Sequence, residues 1–261
     1  MTRRVIIHAD DFGLHPAINA GIEAAHRSGL VTSASLMPLG AAFEDAVCRC
    51  RSLPALDLGL HFTLVGVPGY PATLSAFLAA YAFGKLPPPL VADALRRQLD
   101  AALAFGLTLT HLDSHQHLHT LPPLMRVICP IAAEYGLRAV RLPLDGPAFA
   151  PVSPGRRAQS AALTFMARLS RRFIISNGLQ TSEHFSGMAV SGHLTSPLLA
   201  NYLTRAKTGL TEIVCHPGTR NAELTAAYDW GYDWDGETAA LCSAEAKKAA
   251  ESEEIELAGW G

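Results

Sequence analysis

The sequence predicts an α/β fold in which parallel strands alternate with helices, in a sheet or a barrel, and three observations carry that prediction. Short β-like runs recur along the chain and are separated by segments of helical periodicity, the pattern of βα units joined by right-handed crossovers. Four of the runs end in Asp or His, at the strand edge where parallel sheets and barrels gather their active sites. The 261 residues are 49% apolar and 17% charged, enough to bury one large core as a single domain over residues 1–261.

Val5-Ile6-Ile7 opens a buried strand that runs into Asp10-Asp11-Phe12-Gly13. Pro16 suits the first turn of a helix over Pro16–Ser28 and Gly29 its stop, after which residues 31–37 read as a strand. A helix over 41–51 precedes the strand Leu58-Gly59-Leu60-His61. Residues 68–89, with five prolines and four aromatic residues, interrupt the alternation as an insertion over the strand-end face, either a lid or substrate wall or an ordinary ordered loop or dimer contact. A helix over 91–105 leads to the run from Leu107 that ends in Asp113-Ser114-His115-Gln116-His117-Leu118-His119, and a helix over 124–135 follows. Residues 154–177 form a helical segment carrying five arginines among apolar residues. It reads as a barrel helix with a solvated basic face, or as one that lies on an anionic membrane. A helix over 197–207 precedes the strand ending in Cys215-His216-Pro217-Gly218. The tail, residues 233–261, reads as a final helix and a short strand or arm. Just before it, Tyr228, Trp230 and Tyr232 read as closing the outer layer, with stacking on a sugar as the alternative.

Composition narrows the function. A formal net charge of −2 with no continuous basic stripe argues against nucleic acid as a partner. Neither a signal peptide nor a spanning helix is evident, and five scattered cysteines suit neither a disulfide framework nor a zinc ribbon. The expected setting is cytoplasmic, with peripheral contact at the inner membrane face and homodimerisation both left open.

The chemistry concentrates at the strand ends. Adjacent carboxylates at Asp10 and Asp11 repel, so a metal, a shared proton or a strong cation must offset them. Asp11 and His61, together with one or two of His115, His117 and His119, supply a carboxylate and two imidazoles around an open position, which metal-assisted hydrolysis requires. Were the strand to end near Ser114, the three histidines would splay, and only part of the cluster would serve one ion. Asp10, held near the ion without ligating it, could act as base.

Ala9-Asp10-Asp11-Phe12-Gly13, Gly59-Leu60-His61-Phe62, His111-Leu-Asp113-Ser-His115-Gln-His117 and Cys215-His216-Pro217-Gly218 together resemble the YdjC-like carbohydrate deacetylase family. Asp-Ser-His-Gln-His and the Tyr228-to-Tyr232 segment are similar to its hopanoid-biosynthesis-associated branch, HpnK. The resemblance implies a distorted, TIM-like (β/α) barrel related to polysaccharide deacetylases, and removal of an N-acetyl group from an amino sugar. It further implies Asp11, His61 and His115 as ligands of one divalent metal, magnesium or zinc first, with Asp10 as catalytic base. By analogy with the wider polysaccharide deacetylases, His216 would protonate the leaving amine and Arg141 would orient Asp10 or touch substrate. Asp113, His117 and His119 would orient ligands or bind substrate. The substrate would be an N-acetylated sugar or glycolipid, an N-acetylglucosaminyl hopanoid if the branch holds and a chitooligosaccharide otherwise. A metal-dependent phosphoesterase and a non-catalytic metal- or sugar-binding protein are the competing classes.

Overall fold

The computed structural model describes residues 2–261. The strands are β1 (Arg3–Phe12), β2 (Ser33–Leu36), β3 (Asp57–Phe62), β4 (His111–Ser114), β5 (Ala139–Val140), β6 (His184–Ser186), β7 (Gly209–Cys215) and β8 (Glu256–Leu257). The helices are α1 (Pro16–Ser28), α2 (Phe43–Cys50), α3 (Leu74–Ala82), α4 (Pro88–Leu103), α5 (Pro122–Glu134), α6 (Pro154–Ser176), α7 (Ser196–Thr204), α8 (Asn221–Ala227), α9 (Trp234–Cys242) and α10 (Ala244–Ser252). One sheet runs β5-β4-β3-β2-β1-β7-β6, with β8 added to β1, and every pairing is parallel. The sheet curls until its ends meet through two isolated parallel bridges, Ala139 to Gln180 and Asp145 to Phe185. It is a distorted barrel, closed on that side by bridges rather than by a full ladder.

Alternation along β1 explains how this barrel is filled. Val5, Ile7 and Ala9 face outward into the main apolar core beneath the helices. Ile6, His8 and Asp10 face inward, because neighbouring side chains of a strand point to opposite faces. Ile6 packs with Ala139, Ala258 and Trp260 as a plug at the strand-start end. Above it the interior turns polar, with His8, Ser33, Ser35, His111, Asp113, Arg141 and Glu212 all buried.

Local chemistry sets several boundaries where the sequence places them. Pro16 occupies the first turn of α1, and His15 Nδ1 caps it by accepting from the Ala17 amide at 3.1 Å. Gly13 has φ +112°, and a Cβ there would crowd the Met37 carbonyl, so the chain can leave the Asp pair and turn only with glycine. The 68–89 insertion encloses α3 and the first two residues of α4, Pro88 and Pro89. Two expectations need correction. The tail holds two helices, α9 and α10, before the strand β8, because Ser243 ends one and caps the next by accepting from the Ala246 amide. Trp230 and Tyr232 do more than close an outer layer: they pack against the core and also line the cleft at the strand ends. No helix among the described residues is long and apolar enough to cross a membrane.

Candidate active site

A cleft of about 340 Å³ opens at the carboxyl ends of the strands, with Asp10, Asp11, His61, His115 and His216 in its lining. Asp10 and Asp11 lie within an interruption of the β1–β2 register between Ala9 and Phe12, and Asp11 adopts a left-handed backbone with φ +67°. Aspartate tolerates that region better than most residues. The break turns the two carboxylates toward different partners instead of opposite faces of the sheet.

Asp11 faces imidazoles. Its Oδ1 lies 3.2 Å from His61 Nε2 and 2.9 Å from His115 Nδ1. Asp113 Oδ1 accepts from His61 Nδ1 at 2.7 Å, which fixes that proton on Nδ1 and aims the other ring nitrogen at Asp11. Carboxylate-to-histidine contacts of this kind orient the ligands of metal sites. Burial alone would lower the His61 pKa, but Asp113 and the hydrogen bonds to Asp11 and Asp113 outweigh it and push it up to about 10. The position calls for positive charge.

Asp10 faces a guanidinium. Arg141, 1% exposed, donates from Nη2 to Asp10 Oδ1 at 2.8 Å and from Nη1 to Oδ2 at 2.9 Å, a bidentate pair. Its Nε donates to Glu212 Oε1 at 2.7 Å. Nη2 also lies 2.7 Å from Asp113 Oδ2, an ion pair whose angle falls outside hydrogen-bond geometry, so Oδ2 makes no hydrogen bond. Burial raises the Asp10 pKa, and Arg141 together with His61 and His8 outweighs it, so the net shift is downward. Asp11 and Asp113 are likewise held well below the usual range against the effect of burial, Asp11 by His115 and His61 and Asp113 by Arg141, His61 and His8. Glu212 is raised by burial, which Arg141 only partly offsets.

These buried groups fit a cation. Asp10, Asp11, Asp113 and Glu212 are four buried carboxylates around one buried guanidinium, and that guanidinium contacts every one of them except Asp11. Asp11, His61 and His115 present one donor atom each within 4.8 Å of one another, the donor set that open metal sites use. His8, Asp10 and Asp113 also converge, but there Arg141 already supplies the positive charge.

The remaining predicted residues separate. After Ser114, Gln116 and His117 turn left-handed, with φ +57° and +54°, so His115 alone of the three histidines joins Asp11. His117 reaches the cleft with a buried, unpartnered Nδ1, and burial, then Arg141, push its pKa down to about 3. His119 contacts neither a ligand nor the cleft: its Nε2 donates to the Arg141 carbonyl at 3.0 Å and its Nδ1 accepts from Ser114 at 2.6 Å. His216 lies with Nε2 3.9 Å from Asp10 Oδ2, its Nδ1 unpartnered and its amide donating to Glu237. Sequence reasoning missed His8, which lies 3.4 Å from Asp10 and 3.2 Å from Asp113 and is held by Ser33 and Ser35. The signal was present, since a histidine two residues before Asp10 shares its strand face. Glu212 was legible the same way, while Glu237, on α9, has no such signal. Trp230 lies against His115 at 5.5 Å and Tyr232 against His216 at 5.1 Å, making one wall of the cleft aromatic.

Comparison with known proteins places this geometry. A family model described as YdjC-like protein matches residues 4–252. The chain is 33% identical over 264 residues to a chitooligosaccharide deacetylase of Klebsiella pneumoniae (strain 342), aligned over 95% of this chain and 94% of that one. It is 38% identical over 142 residues to a carbohydrate deacetylase of Oceanobacillus iheyensis, a match covering 51% of this chain and 62% of the other protein's length. A crystal structure from Enterococcus faecalis V583, provisionally described as a cellobiose-phosphate cleavage protein, superposes with a TM-score of 0.79 at 25% identity, over 100% of this chain and 98% of that one. With a match that runs from β1 to the end of α10 and a relative aligned over nearly the whole of both chains, this chain belongs to the YdjC-like family.

Proposed function

We propose that the chain is a metal-dependent carbohydrate N-deacetylase, releasing acetate and a free amine from an N-acetylated amino sugar. The observation that carries this is the division of two adjacent carboxylates, one facing two imidazoles and the other clamped by a guanidinium. The Klebsiella and Oceanobacillus relatives, named as deacetylases of chitooligosaccharide and carbohydrate, support the same chemistry.

Asp11, His61 and His115 would hold one divalent ion, which when bound supplies a Lewis acid for the acetamide carbonyl and lowers the pKa of water. Two imidazoles with one carboxylate suit a borderline ion such as zinc, with magnesium as the harder alternative. Asp10 would take the proton of the attacking water. Arg141 holds both its oxygens, so the base is fixed in place, and its lowered pKa keeps it unprotonated at neutral pH. His216, 3.9 Å away across the cleft, would deliver a proton to the departing nitrogen. Trp230 and Tyr232 would support the apolar face of the sugar ring.

A phosphoesterase would need free cations at the cleft to meet phosphate. Arg141 is engaged by carboxylates beneath the cleft, and the one arginine in the lining, Arg156, donates to the Ser191 carbonyl. In its sharper form the substrate is an N-acetylglucosaminyl group on a hopanoid, in the cytoplasm or at its membrane face, supported by the HpnK-like motifs.

Acetate release from N-acetylated chitooligosaccharides tests the proposal, with the protein stripped by chelator and reloaded with zinc or magnesium. Activity should vanish on stripping and return with one of the ions. Full turnover after stripping, with metal absent by elemental analysis, would sink the metal assignment; phosphate release from chromogenic esters without acetate release would favour a phosphoesterase.

A further inference from the structure

We infer that the outer face of α6 docks on an anionic lipid bilayer. This is independent of the chemistry at the cleft and rests on one helix with two unlike faces.

Of the 23 residues of α6, Ala167, Ser170 and Ile174 are the buried ones. These three lie on one stripe of the helix together with Arg156, Gln159 and Leu163, which line the cleft, so the inner face is accounted for. The opposite face carries large apolar side chains in solvent, with Phe165 57% and Leu169 46% exposed. The helix contains Arg156, Arg157, Arg168, Arg171 and Arg172 and no acidic residue, in a chain whose net charge is −2. Among the described residues none of the five forms a salt bridge. Arg157, Arg168 and Arg172 share the outer face with Phe165 and Leu169, by helical spacing.

The surface beside the helix repeats the pattern. Exposed Phe149 shares a groove of about 700 Å³ with Arg157, Phe165 and Arg168. On its other side, Phe149 shares a second groove with Arg205 and Lys207, and the Arg205 guanidinium lies 4.9 Å from its ring. Exposed aromatic and aliphatic side chains ringed by unpaired arginines match an interface where acyl chains lie beneath phosphate headgroups: apolar groups enter, and guanidiniums meet the anions. An acidic protein surface would answer the charge but would not require several large apolar side chains held in water. Docking this way would bring the cleft, built on the same helix, beside the lipid surface.

The test is cosedimentation of the full chain with phosphatidylglycerol-containing vesicles and with pure phosphatidylcholine vesicles, across salt concentrations. The wild type should sediment with the anionic vesicles far more than with the neutral ones, and less as salt rises. Arg168→Glu/Arg172→Glu should cut the partition coefficient by more than about tenfold, and Phe165→Ser/Leu169→Ser should weaken binding at every salt concentration. Turnover of a water-soluble N-acetylated sugar should stay at the wild-type level in both, since none of the four lines the cleft. A thermal melt matching wild type excludes unfolding as the cause, and Arg168→Gln/Arg172→Gln measures the same loss if the charge reversal proves unstable. Equal sedimentation with both lipids, or unchanged binding by the arginine variants, overturns the inference. So does failure to bind anionic vesicles at low salt, which would leave an acidic protein surface as the occupant.

Discussion

Asp10 and Asp11 are neighbours in sequence, equally buried, and opposite in surroundings. Asp11 faces the edges of His61 and His115, donors that a metal can recruit, whereas Asp10 is held on both oxygens by Arg141. A metal at Asp11 would take the place of the proton that His61 otherwise holds there. At Asp10 the protein supplies its own cation, which leaves a carboxylate fixed but unligated. On the proposed roles, this difference lets one strand end provide both a ligand and a base without the two competing for the ion.

The sharpest way to break this comparison is to exchange one carboxylate at a time. Asp10→Asn should retain metal by elemental analysis while losing about 100- to 10,000-fold in kcat, the usual worth of a positioned general base. Asp11→Asn and His61→Ala should instead lose metal. Loss of metal in Asp10→Asn, or wild-type metal content in His61→Ala, would merge the two roles.

Next in size is the clamp. Arg141→Ala leaves Asp10, Asp113 and Glu212 buried without their shared guanidinium, and breaking a buried pair from one side costs about 3–5 kcal/mol. Denaturant unfolding should show a loss of that order, and Asp113→Asn should recover part of it by removing a repelling charge. An Arg141→Ala protein as stable as wild type would mean that the carboxylates find another partner.

The smallest effect is in pH. Asp10, Asp11 and Asp113 have folded-state pKa values below the ordinary 3.8, so their contribution is present above about pH 4 and is lost as pH falls further. His61 is raised from 6.5 to about 10, so its contribution is full below pH 6.5 and fades as pH climbs toward 10. Metal-free protein should therefore melt highest between these limits. Reloading with metal should flatten the alkaline side, because the ion replaces the His61 proton. An alkaline limb identical with and without metal would place the ion elsewhere.

The sequence by itself determined which chemistry stands at each strand end. Apolar runs broken by Asp or His mark where buried strands emerge, and that signal is local, so Asp10, Asp11, His61, the 115–119 cluster and His216 were all legible. So were the long helices: Pro16 and Gly29 bound α1, and α6 spans 154–176 as its periodicity predicts. The two-residue strand β5 was not, having too few residues to show any period. Only the tertiary structure decided who partners whom. The left-handed turns at Asp11, Gln116 and His117 cancel strand alternation, on which any prediction from spacing depends, and so select His115 over His117 and His119. Arg141, which follows β5, reaches Asp10 on β1 from 131 residues away although β5 lies four strands from β1 in the sheet order, because the curl of the barrel brings their ends together across its interior, a distance no local pattern encodes.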